Sequence, residues 1–416
     1  MAAFSRTWNS KSGLDLYITT NSPGEIAGWV APVVREIRPR VHNCRITLVV
    51  LPCQYASGAE LSVGAEAGVD RCIRVGEFGA MRKREEERAW DGAKKLVLHL
   101  GGDLFFSVCL SRRLKAPLWA YASRPRWGRF VDFFFVPDKG AARRFALLNF
   151  PKERYERIGN LILDSVVLKE SEAETRAFLD LSPREPLLSF LTGSRPLEYS
   201  IATPFFARIA SMLLDRFPDY RAVFPLAPTV REDLLQSILV DAGIAWRGES
   251  RVYAIEVGKD RWARVVRDRT PEVLNCTTLA IAAPGTNNLQ AAALYIPHIM
   301  VLPLDRAEEY PLDGILGALP LWIPGFKKMK KSYILRLNSR TPFVSLPNKM
   351  AGKLIAPELR GTVTEQDVVD EAARLLASPE RLQEISRAFY ELTHERGAAS
   401  RLAERVAAFA ADGPQA

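Results

Sequence analysis

Histidine and cysteine are scarce in this chain of 416 residues: four histidines (His42, His99, His298, His394) and five cysteines (Cys44, Cys53, Cys72, Cys109, Cys276). None of the histidines stands at metal-ligand spacing. The cysteines are odd in number and include no C-x-x-C pair, so neither a zinc site nor a disulfide framework is indicated, and a reducing compartment is expected. No apolar run reaches the roughly 18 residues that a bilayer-spanning helix needs. The nearest candidate, Leu312–Phe326, carries Asp313 and is broken by Pro320 and Pro324. The polar stretch Met1–Gly13 leads into no apolar signal core, so export is not expected. Walker A and dinucleotide fingerprints are missing, which takes support from ATPase and dehydrogenase readings. A D-x-D pair able to hold Mg²⁺ under a diphosphate is missing too, so no metal is implied. Zinc-finger spacings and aromatic RNA-binding signatures are likewise absent, which argues against nucleic acid.

What the chain does have is a net charge of +9 and a pI near 9.3, which favour an anionic partner: a nucleotide, a phosphorylated lipid or a membrane surface. Short aliphatic runs alternate with helical patterns. Leu14–Thr19, Arg45–Leu51, Lys95–Leu100, Leu118–Ala122 and Asp132–Val136 read as strands, with helices such as Ile26–Arg38 between them. A second series follows Ser182-Pro183: Leu187–Leu191, Arg221–Pro225, Val252–Ile255, Leu279–Ala283 and His298–Leu302. This alternation predicts an α/β protein with two doubly wound, mostly parallel domains, at 1–180 and 181–360. Terminal helices are expected over 361–416, one of them starting at Pro379.

In doubly wound sheets, ligands sit beyond the carboxyl ends of the strands. Four strand-to-helix turns therefore stand out. Leu279–Ala283 leads into Pro284-Gly285-Thr286-Asn287-Asn288 and a helix, a plausible diphosphate cradle of backbone N–H groups; a capped tight turn is the alternative. Leu187–Leu191 runs into Thr192-Gly193-Ser194-Arg195, whose guanidinium suits a diphosphate. Lys95–Leu100 ends at Gly101-Gly102-Asp103. Asp103 is a candidate general base on an acceptor hydroxyl, or simply the cap of the next helix. The turn Thr20–Trp29 carries Glu25, a second carboxylate that could equally complement a helix dipole. Lys327, Lys328, Lys330 and Lys331 beside the apolar segment 312–326 read as a surface for anionic lipid or as a solvated charge run.

Taken in order, Pro23-Gly24-Glu25-Ile26-Ala27-Gly28, Leu100-Gly101-Gly102-Asp103, Gly159-Asn160-Leu161-Ile162-Leu163-Asp164, Gly193-Ser194-Arg195, Gly285-Thr286-Asn287-Asn288-Leu289-Gln290 and Val344-Ser345-Leu346-Pro347-Asn348-Lys349-Met350-Ala351-Gly352 resemble landmarks of the lipid-A-disaccharide synthases. The last stretch is close to that family's "VSLPNLLAG". The resemblance implies a GT-B fold and an inverting, metal-independent transfer of a diacylglucosamine unit from its UDP derivative to diacylglucosamine 1-phosphate. UDP-sugar is then a substrate and no cofactor is required. Asp103 matches the family's essential aspartate, Arg195 the arginine near the donor phosphates, and Asn348 the asparagine of "LPN". Gly285 and Thr286 would lie at the donor diphosphate, with Gly193, Ser194, Asn287, Asn288 and Gln290 around it. The family's habits further imply a cytoplasmic protein at the inner membrane surface, with terminal helices returned to the first domain or exchanged in a homodimer.

Departures from the pattern bear on the acceptor. "GExSGD" becomes Gly24-Glu25-Ile26-Ala27-Gly28-Trp29, "SPSVWAW" is reduced to Ala122-Ser123-Arg124-Pro125-Arg126-Trp127, and Gln290 replaces a glutamate. Arg82 to Arg88 is charged where the family is apolar. A related enzyme for another glycolipid, a UDP-sugar epimerase of the same fold and a non-catalytic membrane-associated protein are the alternative readings.

Overall fold

The computed structural model describes residues 13–52, 60–81, 93–193, 196–227, 230, 232–249, 252–258, 260–304 and 326–412. Two compact units emerge, one of residues 1–165 with 395–416 and the other of residues 166–394.

The first unit holds a seven-stranded parallel sheet of β1 (Leu14–Thr20), β2 (Cys44–Val50), β3 (Arg71–Arg74), β4 (Lys94–His99), β5 (Leu118–Tyr121), β6 (Phe133–Val136) and β7 (Tyr155–Arg157). Its order is β3-β2-β1-β4-β5-β6-β7. Strand residues alternate between two cores. Leu16, Ile18, Leu96, Leu98, Phe133 and Phe135 face one cluster, and Tyr17, Val97 and Phe134 the other. Burial on both faces is why these strands read as unbroken aliphatic runs. A charged exception is Asp15, paired in register with Arg45 on β2 and bridged to it at 2.9 and 2.7 Å in the interior. The final helix, Ala398–Ala411, closes one face by laying Leu402, Ala403 and Val406 on the core beside the helix Ala31–Arg40. Asp164 fixes its start, accepting from Gly397 and Ala399 N–H at 2.8 and 2.7 Å.

The second unit carries β8 (Leu187–Leu191), β9 (Arg221–Leu226), β10 (Trp246–Glu249), β11 (Val252–Glu256), β12 (Trp262–Arg267), β13 (Leu279–Ala282), β14 (His298–Pro303) and β15 (Glu358–Gly361). They run in the order β10-β11-β12-β9-β8-β13-β14-β15. All neighbours are parallel except the antiparallel pairs β10/β11 and β11/β12. The six strands from β12 to β15 thus repeat the 3-2-1-4-5-6 order of the first sheet. The sequence-based limits near 180 and 360 differ from this division. Phe178, Leu179 and Leu181 pack with Leu187, Val223 and Val266 of the second unit, and the helices Glu365–Leu376 and Pro379–Thr393 belong to it as well. Among the described residues, no helix is long and apolar enough to cross a membrane.

Candidate functional site

The parallel part of each sheet reverses its strand order between β1 and β4 and between β8 and β13, and the crevice beyond the carboxyl ends there is where doubly wound sheets bind ligands. In the first unit β1 ends at Thr20-Asn21, Ser22 caps the next turn by accepting from Glu25 N–H at 3.3 Å, and Pro23 starts it. A π-helical turn then spans Ile26–Val30 before the regular helix begins at Ala31. Sequence reading expects one helix over Ile26–Arg38; hydrophobic period alone does not distinguish a π-turn, a distortion frequent at functional sites. The Glu25 carboxylate turns back over the strand ends. It accepts from the Thr20 hydroxyl at 2.9 Å and from Asn21 N–H at 3.3 Å. It presses so closely on Gly101 that a Cβ there would lie 2.1 Å from Glu25 Oε2. The turns after β1 and β4 are therefore in close contact, and a side chain at 101 would displace the Glu25 carboxylate.

Asp103 follows at once. Its Oδ1 accepts from Phe105 N–H at 2.9 Å, capping the helix Leu104–Leu114, while its side chain stands exposed to solvent. The capping reading is met, and the carboxylate is also within reach of a ligand. Beneath it lies a polar knot that the sequence did not signal: Thr19 Oγ1, His99 Nδ1 and Ser107 Oγ lie 2.8 to 3.1 Å from one another, all buried. Burial pushes His99 down to about 4, against the opposing pull of the Asp103 charge. A neutral ring thus ties β1, β4 and the helix carrying Asp103 together. Trp29 fills the place of the resembling family's second acid with its ring against Tyr121, centroids 5.8 Å apart.

In the second unit, β8 ends at Thr192-Gly193, and Glu198 Oε2 would meet a Cβ on Gly193 at 2.9 Å. Ser194 and Arg195 lie outside the described residues. Beyond β13, Gly285 is exposed, no side chain caps the helix Thr286–Ala293, and a Cβ on Gly285 would point into open space. Its first amides are thus presented with the positive helix end, an arrangement suited to phosphate oxygens. Thr286, Asn287 and Gln290 are half-buried around it. Two of the residues sought as donor ligands play another part. Asn288 is wholly buried, and its Nδ2 donates to Ala283 O at 2.7 Å, holding the turn from below. Asn348 is wholly buried too. Its Nδ2 donates to Ala356 O and Glu358 Oε1 at 2.9 Å, and its Oδ1 accepts from Ile355 and Ala356 N–H at 2.8 and 3.2 Å. With those bonds made inside the protein, Asn348 shapes the approach to β15 and offers nothing outward.

A cavity of about 120 Å³ opens beside these turns, walled by Ile201, Phe205, Pro284 and Val301 with Glu198 at its polar end. A larger groove of about 660 Å³ runs past Arg221, Arg247 and Trp262, at the opposite edge of the same sheet, where β9 and β12 begin. The helix Phe326–Arg340 exposes Lys327, Lys328, Met329, Tyr333 and Leu337, whereas Lys330 is buried, so the basic run is not one solvated face. Residues 312–325 and Arg82 to Arg88 lie outside the described residues. Among the described residues, no group of three or more His, Cys, Asp or Glu gathers as a metal site.

Two Rossmann-like sheets with ligand-ready turns at each switch point define a GT-B-fold protein. The same architecture recurs in solved structures: a UDP-GlcNAc 2-epimerase from Neisseria meningitidis bound to UDP-GlcNAc (13% identical, TM-score 0.56, covering 94% of this chain and 99% of that one) and the S. aureus MnaA-UDP co-structure (12%, 0.58, 95% and 96%). At such identities the likeness is one of fold. In sequence, the family model for lipid-A-disaccharide synthetase matches residues 146–306. The lipid-A-disaccharide synthase of Myxococcus xanthus is 25% identical over 319 residues, 72% of each chain, and that of Azoarcus sp. 23% over 396 residues, 89% of this chain and 90% of that one. In sequence the chain is thus similar to the lipid-A-disaccharide synthases over most of its length.

Proposed function

We propose that the protein transfers a 2,3-diacylglucosamine unit from its UDP derivative to 2,3-diacylglucosamine 1-phosphate, with inversion, giving lipid A disaccharide 1-phosphate and UDP. The observation that carries this reading is the exposed Asp103 carboxylate, held at the switch point of the first sheet against the turn that bears Glu25. In the proposed step Asp103 takes the acceptor hydroxyl proton as that oxygen attacks the anomeric carbon. The bond from that carbon to the β-phosphate oxygen breaks, and the charge departs with UDP. Glu25 positions the Gly101–Asp103 turn. The uncapped amides after Gly285, with Thr286, Asn287 and Gln290 around them and Gly193 at the end of the neighbouring strand β8, would receive the diphosphate without a metal, joined by Ser194 and Arg195, which the sequence alone nominates. Work at the cytoplasmic face of the inner membrane is part of the same proposal. It is supported by the overall charge of +9 and by the exposed lysines and apolar side chains of the helix Phe326–Arg340.

The test is Asp103→Asn, because asparagine caps a helix as well as aspartate but is no base. Thermal stability is expected to hold within about 0.5 kcal/mol while kcat falls about 10²- to 10⁴-fold. Normal turnover in that variant removes Asp103 from the base role. A second reading, a different glycolipid acceptor, is favoured by Trp29 standing where the resembling family has an acid. Offering several UDP-sugars and acceptors and reading the products by mass spectrometry separates the two. An epimerised sugar formed from UDP-N-acetylglucosamine alone would point to an epimerase.

A further inference from the structure

One residue past Leu104, the helix that Asp103 caps exposes Phe105, 45% accessible, and this ring meets Trp127, 39% accessible, at a centroid distance of 5.8 Å. Trp127 in turn lies 5.9 Å from Phe130. The loop that presents these rings is held rigidly. Trp127 adopts a left-handed backbone, φ 54°, which a bulky side chain rarely takes and which costs energy unless the surroundings impose it. They do so here: Phe130 N–H donates to Trp127 O at 2.8 Å, Arg154 donates to Gly128 O at 2.9 Å and also to Val131 O, and Gly128 is pressed against the Phe150 ring. Arg112 and Arg129 lie over Phe130 at 4.3 and 4.5 Å, and Arg124 and Arg126 are exposed beside Trp127. None of these four arginines has an ion-pair partner among the described residues. A rigid aromatic face rimmed by unpaired guanidinium groups, beginning two residues from a candidate base, has the complementarity of a phosphorylated sugar carrying apolar chains. Aromatic faces suit the sugar's C–H surface and the first methylenes, and guanidinium forks suit a phosphate monoester.

We propose that Phe105, Trp127, Arg124 and Arg126 form the acceptor subsite, stacking the acceptor sugar and gripping its phosphate so that a hydroxyl meets Asp103. This rests on the glycosyltransferase reading above and names the part of the molecule that selects its acceptor. The shortened Arg124–Trp127 turn, which departs from the family's pattern, is then the element that tunes acceptor choice.

The experiment measures binding and turnover separately on the full chain. A short-chain 2,3-diacylglucosamine 1-phosphate is titrated without donor, followed by calorimetry, into wild type, Trp127→Ala and the Arg124→Ala/Arg126→Ala double variant. The dephosphorylated sugar serves as the second ligand. Wild type is expected to bind the phosphate form. Trp127→Ala should weaken both ligands about 10-fold, and the arginine pair should weaken only the phosphate form, with melting temperatures and donor KM unchanged. In turnover the same variants should raise acceptor KM alone. Binding without turnover leaves the subsite standing and sinks the proposed reaction. Turnover with unchanged acceptor KM in both variants, equal losses for donor and acceptor, or no binding by wild type overturns the subsite. Should Trp127→Ala unfold, the exposed arginine pair decides alone.

Discussion

At the scale of single residues, the first switch point depends on one contact. Gly101 carries no Cβ because Glu25 occupies that space, so Gly101→Ala should push the Glu25 carboxylate off Thr20 and Asn21. The far end of a glutamate moves readily, so the expected stability loss is small, about 1 kcal/mol, whereas turnover should fall at least about 10-fold. Steady-state rates beside a thermal melt check this, and unchanged turnover would show that the placing of Glu25 is immaterial. Glu25 and Asp103 could be picked from the sequence because a carboxylate after a β-run at a glycine turn is a local signal. The buried partnership of Thr19, His99 and Ser107 could not, since its members stand 8 to 88 positions apart. Asn288 and Asn348 teach the converse. A motif marks a position as special without saying whether its side chain faces a ligand or the protein, and here both face the protein.

At the scale of elements, the ten strands expected from aliphatic runs are all present, because central parallel strands are buried on both faces and exclude polar residues. Of those missed, β3, β7, β10 and β15 are short and lie at or near the sheet edges, where Arg, Glu and Gly are tolerated, and β12 is an inner strand whose run is broken by Arg264 and Arg267. The last helix shows how an element gains its place. Its stripe of Leu402, Ala403 and Val406 requires burial, but the surface that receives it is chosen by Asp164, far away in sequence, which accepts two of its first amides. Asp164→Ala should cost about 1–2 kcal/mol, the worth of a charged cap. The loss should appear in hydrogen exchange as faster opening of Ala398–Ala411 before the rest of the first unit. Uniform exchange across that unit would show that the helix is held by packing alone.

At the scale of the whole molecule, each unit conceals one neutral imidazole. His99 and His298 are both pushed down to about 4 by burial, from an ordinary value of 6.5. Between pH 6.5 and about 4 the unfolded chain takes up protons that the native rings refuse, so stability is full above pH 6.5 and falls as the pH drops through that window. Each ring contributes about 1.4 kcal/mol per pH unit there. His298→Phe keeps the stack on Phe389 and removes one of the two titrations, so its melting temperature should fall less between pH 7 and pH 5 than that of wild type. Equal slopes would mean that His298 is not refusing its proton. The sequence by itself determined the class of fold, the repeated strand-and-turn plan and the turns that follow the strands, because strand burial and turn chemistry are local properties of adjacent residues. Only the tertiary structure decided that Glu25 closes on Gly101, that Phe105 meets Trp127, that the two asparagines turn inward and that the final helix returns to the first sheet. Those outcomes depend on which distant side chains compete for the same buried space, and periodicity along one chain carries no record of that competition.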